Sequence, residues 1–115
     1  MSSTALERLL VPARITIFDG AMGTMLYNEG VFINQCYDEL NLRAPELIKK
    51  IHRAYVKSGA EIIETNSFGA NRPKLTQHGL DSQVHDINRS AAAIAKEVAS
   101  DAGCPVLVGG AVGPP

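Results

Sequence analysis

The stretch EIIETN, residues 61–66, decides the fold because two β-branched residues stand at its centre and polar residues close it. This pattern predicts a short strand over Glu61–Thr65. A helix is predicted just before it, since Pro45 suits a first turn and Gly59 suits a left-handed C-cap. The apolar residues that recur on one face of this helix are Leu47, Ile48, Ile51 and Tyr55.

Two further strands flank this unit along the chain. The run ITIF at Ile15–Phe18 predicts a buried strand, and Val106–Val108 predicts a third strand that runs into glycines. A long helix is predicted over Ser82–Ala102, with Ser82 as its N-cap and Gly103 as its C-cap. The sequence also predicts short helices at Thr4–Leu10, Gly23–Asn28 and Pro73–His78, and an irregular connection over Val31–Arg43.

The order of the main elements is strand, helix, strand, helix, strand. This order forms two consecutive βαβ units, which predict parallel strands and the α/β class. Three parallel strands are too few for a doubly wound sheet or a closed barrel, and an eight-stranded barrel needs ~250 residues. The 115 residues therefore predict one partial domain, covering residues 1–115.

Composition excludes several classes of function. With 11 basic and 12 acidic residues the net charge is −1, so no general attraction to nucleic acid or to an anionic membrane is expected. The sequence has no apolar run long enough for a membrane span and no secretory signal pattern. Two cysteines are too few for a disulfide scaffold and fit a reducing cytosol, which predicts a cytoplasmic protein.

Polar or glycine-rich segments follow all three predicted strands. They are residues 19–24, 65–68 and 109–113, and the carboxyl ends of parallel strands form the functional edge of α/β proteins. Asp19 could hold an ammonium or hydroxyl group, or it could only cap the following turn. Asn66 and Asn71 could likewise bind an amino-acid-like ligand or only bond their own loops.

Other reactive side chains give weaker signals. The glycines after the third strand match no phosphate-binding motif, so close backbone packing is favoured over a nucleotide site. The histidines share no metal-ligand spacing, and His52 is expected at the surface or partly buried. Cys36 and Cys104 belong to no CxxC pair, and Cys104 before an apolar strand is expected to be a buried, inert thiol.

Several long segments resemble one family. The run DGAMGTMLYNEG from Asp19, the segment DELNLRAPELIKKIHRAYVKSGAEIIETNSFGANRPKL from Asp38 and the closing GGAVGP are similar to homocysteine S-methyltransferases. That family includes the N-terminal barrel of cobalamin-dependent methionine synthase and betaine–homocysteine methyltransferase. The run VFINQCYDELN at residues 31–41 is most similar to bacterial proteins that join such a domain to a methylenetetrahydrofolate reductase.

The resemblance implies the N-terminal portion, about three strands, of a (β/α)8 TIM barrel. It implies transfer of a methyl group from a donor to the sulfur of homocysteine, giving methionine. Carried over by position, the substrate-binding residues are Asp19, Gly20, Ala21, Gly23, Thr65, Asn66 and Asn71. Ser67 stands where many members have Thr, a change that keeps the hydroxyl group.

The family's cofactors are implied less directly. Its zinc ion is held by three cysteines on later strands, and neither Cys36 nor Cys104 matches them. Some members add a cobalamin or folate donor, or FAD in a following domain. The sequence therefore predicts no catalytic residue and no metal ligand in this chain, and an isolated polypeptide without activity. The alternative is a truncated, non-catalytic derivative, whose unpaired strand edges favour self-association.

Overall fold

The computed structural model describes residues 3–115 and contains six helices and two short strands within that range. The helices are α1 (Ser3–Leu9), α2 (Gly23–Asn28), α3 (Leu40–Arg43), α4 (Pro45–Lys57), α5 (Arg72–Thr76) and α6 (Val84–Asp101). The strands are β1 (Ile62–Glu64) and β2 (Leu107–Gly109), and a 3-10 turn at Asp81–Gln83 leads into α6. None of the helices in residues 3–115 is both long and apolar enough to cross a membrane.

The two strands form a parallel pair, as the βαβ order predicts. Ile62, Ile63 and Glu64 lie opposite Leu107, Val108 and Gly109. The crossover between them contains α5 and α6, and α4 leads into β1. The structure thus confirms the parallel α/β arrangement around β1 and β2.

The first predicted strand is wrong as a buried strand. Ile15–Phe18 lies beside β1 and makes a single parallel bridge, between Phe18 and Ile62. The amide of Glu61 donates to the carbonyl of Ile17 at 2.7 Å. However, Ile15 is 80% exposed and Phe18 53% exposed. Only β1 flanks this segment within residues 3–115, so nothing described there covers its outer edge.

Two apolar clusters hold the helices against the sheet. The strand–helix core consists of Ala60, Ile63, Ala95, Val98 and Val106. The inter-helix core consists of Leu26, Leu40, Ile48, Ile51 and Ile94. Alternation along β1 sends Ile63 into the strand–helix core, whereas Ile62 contacts Leu107 on the opposite face.

Local signals placed most helix ends correctly. Gly59 (φ +109°) and Gly103 (φ +72°) adopt the left-handed conformation that a helix end requires. The Ser82 N-cap is wrong, because the 3-10 turn moves the start of α6 to Val84 and Gln83 precedes it without a side-chain cap. The connection predicted as irregular contains α3, whose burial of Leu40 and Asn41 explains the extra turn.

Two side chains also differ from expectation. His52 is completely buried on α4, because that face of the helix packs into the interior as its apolar neighbours do. The prediction of a buried Cys104 is wrong: it is exposed, because it lies in the turn between α6 and β2, before the buried part of the strand begins. Cys36 is the buried thiol, packed with Ala70, Leu75 and Ile87.

Candidate functional site

A cleft of about 450 Å³ opens where β1, β2 and the Ile15–Phe18 segment end. Five of the seven residues predicted from the sequence line it, namely Asp19, Gly20, Gly23, Thr65 and Asn66. This convergence follows from the parallel arrangement, since the carboxyl ends of neighbouring strands meet at one edge. The cleft is therefore the candidate site.

Hydrogen bonds to β1 hold Asp19 in the lining of this cleft. Its amide donates to the carbonyl of Ile62 at 2.9 Å, and its Oδ2 accepts the amide of Glu64 at 3.0 Å. Burial raises the pKa of Asp19, and the nearby Glu64 carboxylate raises it further, while the hydrogen bond from the Glu64 amide opposes both. Because the strand uses Oδ2, Oδ1 can accept a hydrogen bond from a ligand.

Thr65 and Ser67 connect the ends of β1 and β2. The Thr65 Oγ1 lies 2.6 Å from the Ser67 Oγ and accepts the amide of Ala111 at 3.0 Å. The Ser67 hydroxyl donates to the carbonyl of Ala111 at 2.8 Å. Both hydroxyl groups are thus committed to the wall of the cleft, which explains why a hydroxyl is retained at Ser67.

The Asn66 side chain takes the loop-bonding alternative. Its Nδ2 donates to the carbonyl of Tyr37 at 2.9 Å and to the Oδ1 of Asn41 at 3.0 Å. Asn41 returns a hydrogen bond from its own Nδ2 to the carbonyl of Asn66 at 2.8 Å. Both amides are buried, so this pair fixes the loop before α3 against the end of β1.

The remaining two predicted residues, Ala21 and Asn71, do not line the cleft. Asn71 is the N-cap of α5: its Oδ1 accepts the amide of Lys74 at 3.0 Å, and its Nδ2 donates to the carbonyl of Pro114 at 3.1 Å. The carbonyl of Ala21 accepts the hydroxyl of Tyr55 at 2.6 Å. Both residues therefore bond to other parts of the protein that lie outside the lining of the cleft.

Sequence reasoning missed two carboxylates in the lining, Asp38 and Glu64. Asp38 accepts the amide of Gly69 at 3.1 Å, and burial raises its pKa while the charges of Lys74 and His78 lower it. Glu64 stands next to Thr65 at a predicted strand end, so its position could have been found, whereas Asp38 lies in the connection that showed no pattern. Among the described residues the lining contains three carboxylates and no Lys, Arg or His, although the charges of Lys74 and His78 reach Asp38; this balance favours a cationic ligand group.

The residues of this chain do not fit the zinc site that the resemblance implies. Within residues 3–115, the structure brings no three His, Cys, Asp or Glu side chains together in a metal-binding group. Cys36 lies in an apolar cluster, and Cys104 lies at the opposite end of β2 from the cleft. A larger groove of about 830 Å³ runs between α6 and β2, from Cys104 before β2 to Thr65 and Gly110 at the strand ends.

Comparison with known proteins gives one consistent result. A family model described as homocysteine S-methyltransferase matches residues 16–115. Methionine synthase from Mycobacterium tuberculosis is 34% identical over 98 residues, which cover 80% of this chain and 8% of the relative. Methionine synthase from Mycobacterium leprae is 32% identical over 94 residues, which cover 76% of this chain and 8% of the relative.

Solved structures agree with this match. The metallated form of the homocysteine methyltransferase MmuM from Escherichia coli superposes with a TM-score of 0.81 at 29% identity. The alignment covers 96% of this chain and 41% of that one. Its oxidised form gives a TM-score of 0.82 at 28% identity, with the same coverage. The chain therefore spans less than half of the solved relative and about one twelfth of the curated ones.

Proposed function

We propose that the cleft of this chain, which belongs to the homocysteine S-methyltransferase family, binds the amino-acid portion of homocysteine. The observation that carries the proposal is the meeting of Asp19, Gly23 and Thr65 in one cleft at the ends of parallel strands. The complete reaction would transfer a methyl group from a donor to the homocysteine sulfur, giving methionine.

The charges in the cleft support recognition of the α-ammonium group. Asp19 and Glu64 lie together with no cationic side chain in the lining formed by the described residues, so a ligand ammonium would supply positive charge there. Partial burial strengthens this attraction by lowering the local dielectric constant. The backbone amides of the Gly20–Gly23 turn are suited to the ligand carboxylate.

We assign no part of sulfur activation to this chain. Zinc would lower the pKa of the substrate thiol, but the cysteines that the resemblance implies for zinc match neither Cys36 nor Cys104. The isolated polypeptide is accordingly expected to form no methionine and to bind no zinc in one-to-one stoichiometry. Native mass spectrometry with added zinc, together with an assay for methionine, tests this; tight one-to-one zinc or turnover would overturn it.

Ligand titration by NMR tests the binding proposal directly. L-Homocysteine should shift the amide signals of Gly20, Gly23 and Thr65. The analogue 4-mercaptobutanoate lacks only the α-amino group and should leave these signals in place. If it binds as tightly as homocysteine, recognition of the ammonium group by the cleft is wrong.

A pair of variants identifies the carboxylate involved. Asp19→Asn removes the charge with almost no change of shape and should weaken homocysteine binding about tenfold, as expected for loss of a charge-assisted hydrogen bond. Asp81→Asn is the matched control, because Asp81 is exposed in the 3-10 turn before α6. Equal affinities for the two variants would contradict the assignment to Asp19.

The second candidate is a non-catalytic chain that acts by association. The exposed apolar side chains of Ile15, Phe18 and Val112 favour it, because exposed apolar surface promotes contacts between proteins. Analytical ultracentrifugation over a range of concentrations separates the candidates. Stable dimers that bind no homocysteine would support this alternative over the substrate-binding function.

A further inference from the structure

Tyr55 reaches the candidate site from behind, from the last part of α4. Its ring packs against both the inter-helix core and the strand–helix core, which fixes the direction of the side chain. From there its hydroxyl donates to the carbonyl of Ala21 at 2.6 Å. The hydrogen bond spans 34 residues and joins a helix to the turn that follows Asp19.

The turn at residues 20–21 depends on this contact. In the part of the chain that the structure describes, no other hydrogen bond reaches Gly20 or Ala21. The Tyr55 ring also lies directly against Gly20, where an added Cβ would come within 3.0 Å of the Tyr55 Oη and 3.2 Å of its Cε1. The hydroxyl of Tyr55 therefore determines where this turn lies, and its ring determines how closely the turn packs against α4.

We infer that Tyr55 is a positioning residue for the homocysteine site, holding the Gly20–Ala21 turn so that Asp19 faces the cleft. The inference rests on the proposed function. β1 secures one side of Asp19 through the carbonyl of Ile62 and the amide of Glu64. Tyr55 secures the other side through the turn, so the carboxylate is held between two rigid elements.

Two charged or titratable groups face Asp19, namely Glu64 from β1 and Tyr55 from α4. Burial raises the pKa of Tyr55, and the Asp19 carboxylate raises it further. The Tyr55 hydroxyl is therefore retained in its donor form, which the hydrogen bond to Ala21 requires. Release of the turn would expose Asp19 to more water, and its pKa would then fall because burial is what raises it.

The test compares Tyr55→Phe with Tyr27→Phe in the full 115-residue chain. Tyr27 is a matched control because it lies on α2, close to the same turn in sequence, and is 60% exposed. Tyr55→Phe should weaken L-homocysteine binding about fivefold, the effect of losing one hydrogen bond. NMR titration should show the pKa of Asp19 falling towards its ordinary value in Tyr55→Phe and unchanged in Tyr27→Phe.

The outcomes separate this inference from the function on which it rests. If the unmodified chain binds no homocysteine, the proposed function fails, and the Asp19 titration still decides the role of Tyr55. If Tyr55→Phe keeps both the affinity and the raised pKa of Asp19, the positioning role is wrong. A purely structural role would lower stability without changing the Asp19 titration of the folded protein.

A second single variant tests the same contact in a chain that keeps Tyr55, and it can be read even if Tyr55→Phe does not fold. Gly20→Ala pushes the turn from the other side while leaving the tyrosine in place, and it should also weaken homocysteine binding. In the double variant with Tyr55→Phe, the 3.0 Å contact between Oη and the new Cβ is absent and the 3.2 Å contact with the ring Cε1 remains, so Gly20→Ala should cost somewhat less affinity. Strictly additive effects of the two substitutions would overturn the inference.

Discussion

Ile63 and Ile17 are the same residue type in neighbouring extended segments, yet one is fully buried and the other is 50% exposed. Ile63 lies on β1 between the helices and β2, within the strand–helix core. Ile17 lies in the segment that meets β1 on one side only. In both segments the β-branched residue favours the extended conformation. Burial of its side chain depends instead on whether other elements pack on both sides of the segment.

Truncating these two side chains tests the comparison with the largest expected effect. Ile63→Ala should lower the free energy of unfolding by about 4 kcal/mol, because it leaves a cavity among packed side chains. Ile17→Ala should cost less than about 1 kcal/mol, because that side chain is half exposed already. Urea denaturation of both variants measures the difference, and equal losses would mean that Ile17 is covered in solution.

The buried side chain of His52 makes the stability of the folded protein depend on pH. It is fully buried, and neither of its ring nitrogens has a hydrogen-bond partner among the described residues 3–115. Burial lowers the pKa of His52 from 6.5 to about 4, so the folded state keeps the imidazole neutral while the unfolded state takes up a proton. Stability should therefore fall by about 3 kcal/mol as the pH drops from 7 to 4, and this contribution vanishes above about pH 7.

Denaturation at several pH values, with two variants, isolates this effect. His52→Leu should remove the loss contributed by this side chain and leave only the part due to other groups. The control is His85→Gln, because His85 is exposed on α6 and should keep the full dependence. If His52→Leu keeps the same slope, the neutral buried imidazole is not its source.

Two glycines in the segment after β2 allow a smaller and more local test. A Cβ at Gly113 would overlap the carbonyl oxygen of Phe68, so Gly113→Ala must displace one of the two loops. A loss of about 2 kcal/mol is expected, as for other overpacked sites. Gly110→Ala is the matched control, since an added Cβ there meets no atom of the described residues within 4 Å. Thermal unfolding should shift for Gly113→Ala and stay nearly unchanged for the control.

The smallest expected effect concerns the contacts that hold the Ile15–Phe18 segment against β1. Arg14 pairs with Glu61 at 2.6 Å, and the other Glu61 oxygen accepts the amide of Ile17 at 3.1 Å. Because the pair is partly exposed, Arg14→Gln should leave the unfolding midpoint unchanged. It should speed hydrogen exchange at the Ile17 amide but not at Ile63. Unchanged exchange at Ile17 would show that the backbone contacts to β1 suffice.

The elements that sequence predicted well are those whose signals are local. The apolar face from Leu47 to Tyr55 and the glycine at position 59 define α4 without reference to the rest of the chain. The burial of Ile15–Phe18 was predicted wrongly, because burial is set by neighbouring elements that a single segment cannot reveal. α3 was missed because its four residues are too few to show a helical period.

The candidate site was predictable to a similar extent. The rule that ligands gather at the carboxyl ends of parallel strands led to Asp19, Thr65 and Asn66, which lie together. Asp38 and Tyr55 come from a loop and a helix that reach the cleft only through tertiary packing. Their polar atoms meet partners 31 and 34 residues away, and no spacing in the sequence encodes such a meeting.

The ties that shape the cleft also set the order in which it can form. The Asp19–Glu64 contact spans 45 residues, and the bond from Ala111 to Thr65 spans 46. Loops of this length close more slowly than helices grow, so α4 and α6 can be in place before the cleft exists. On the ribosome Asp19 emerges well before Ala111, so the residues that shape the cleft become available at different times. The helices can therefore form in a growing chain before the cleft is complete.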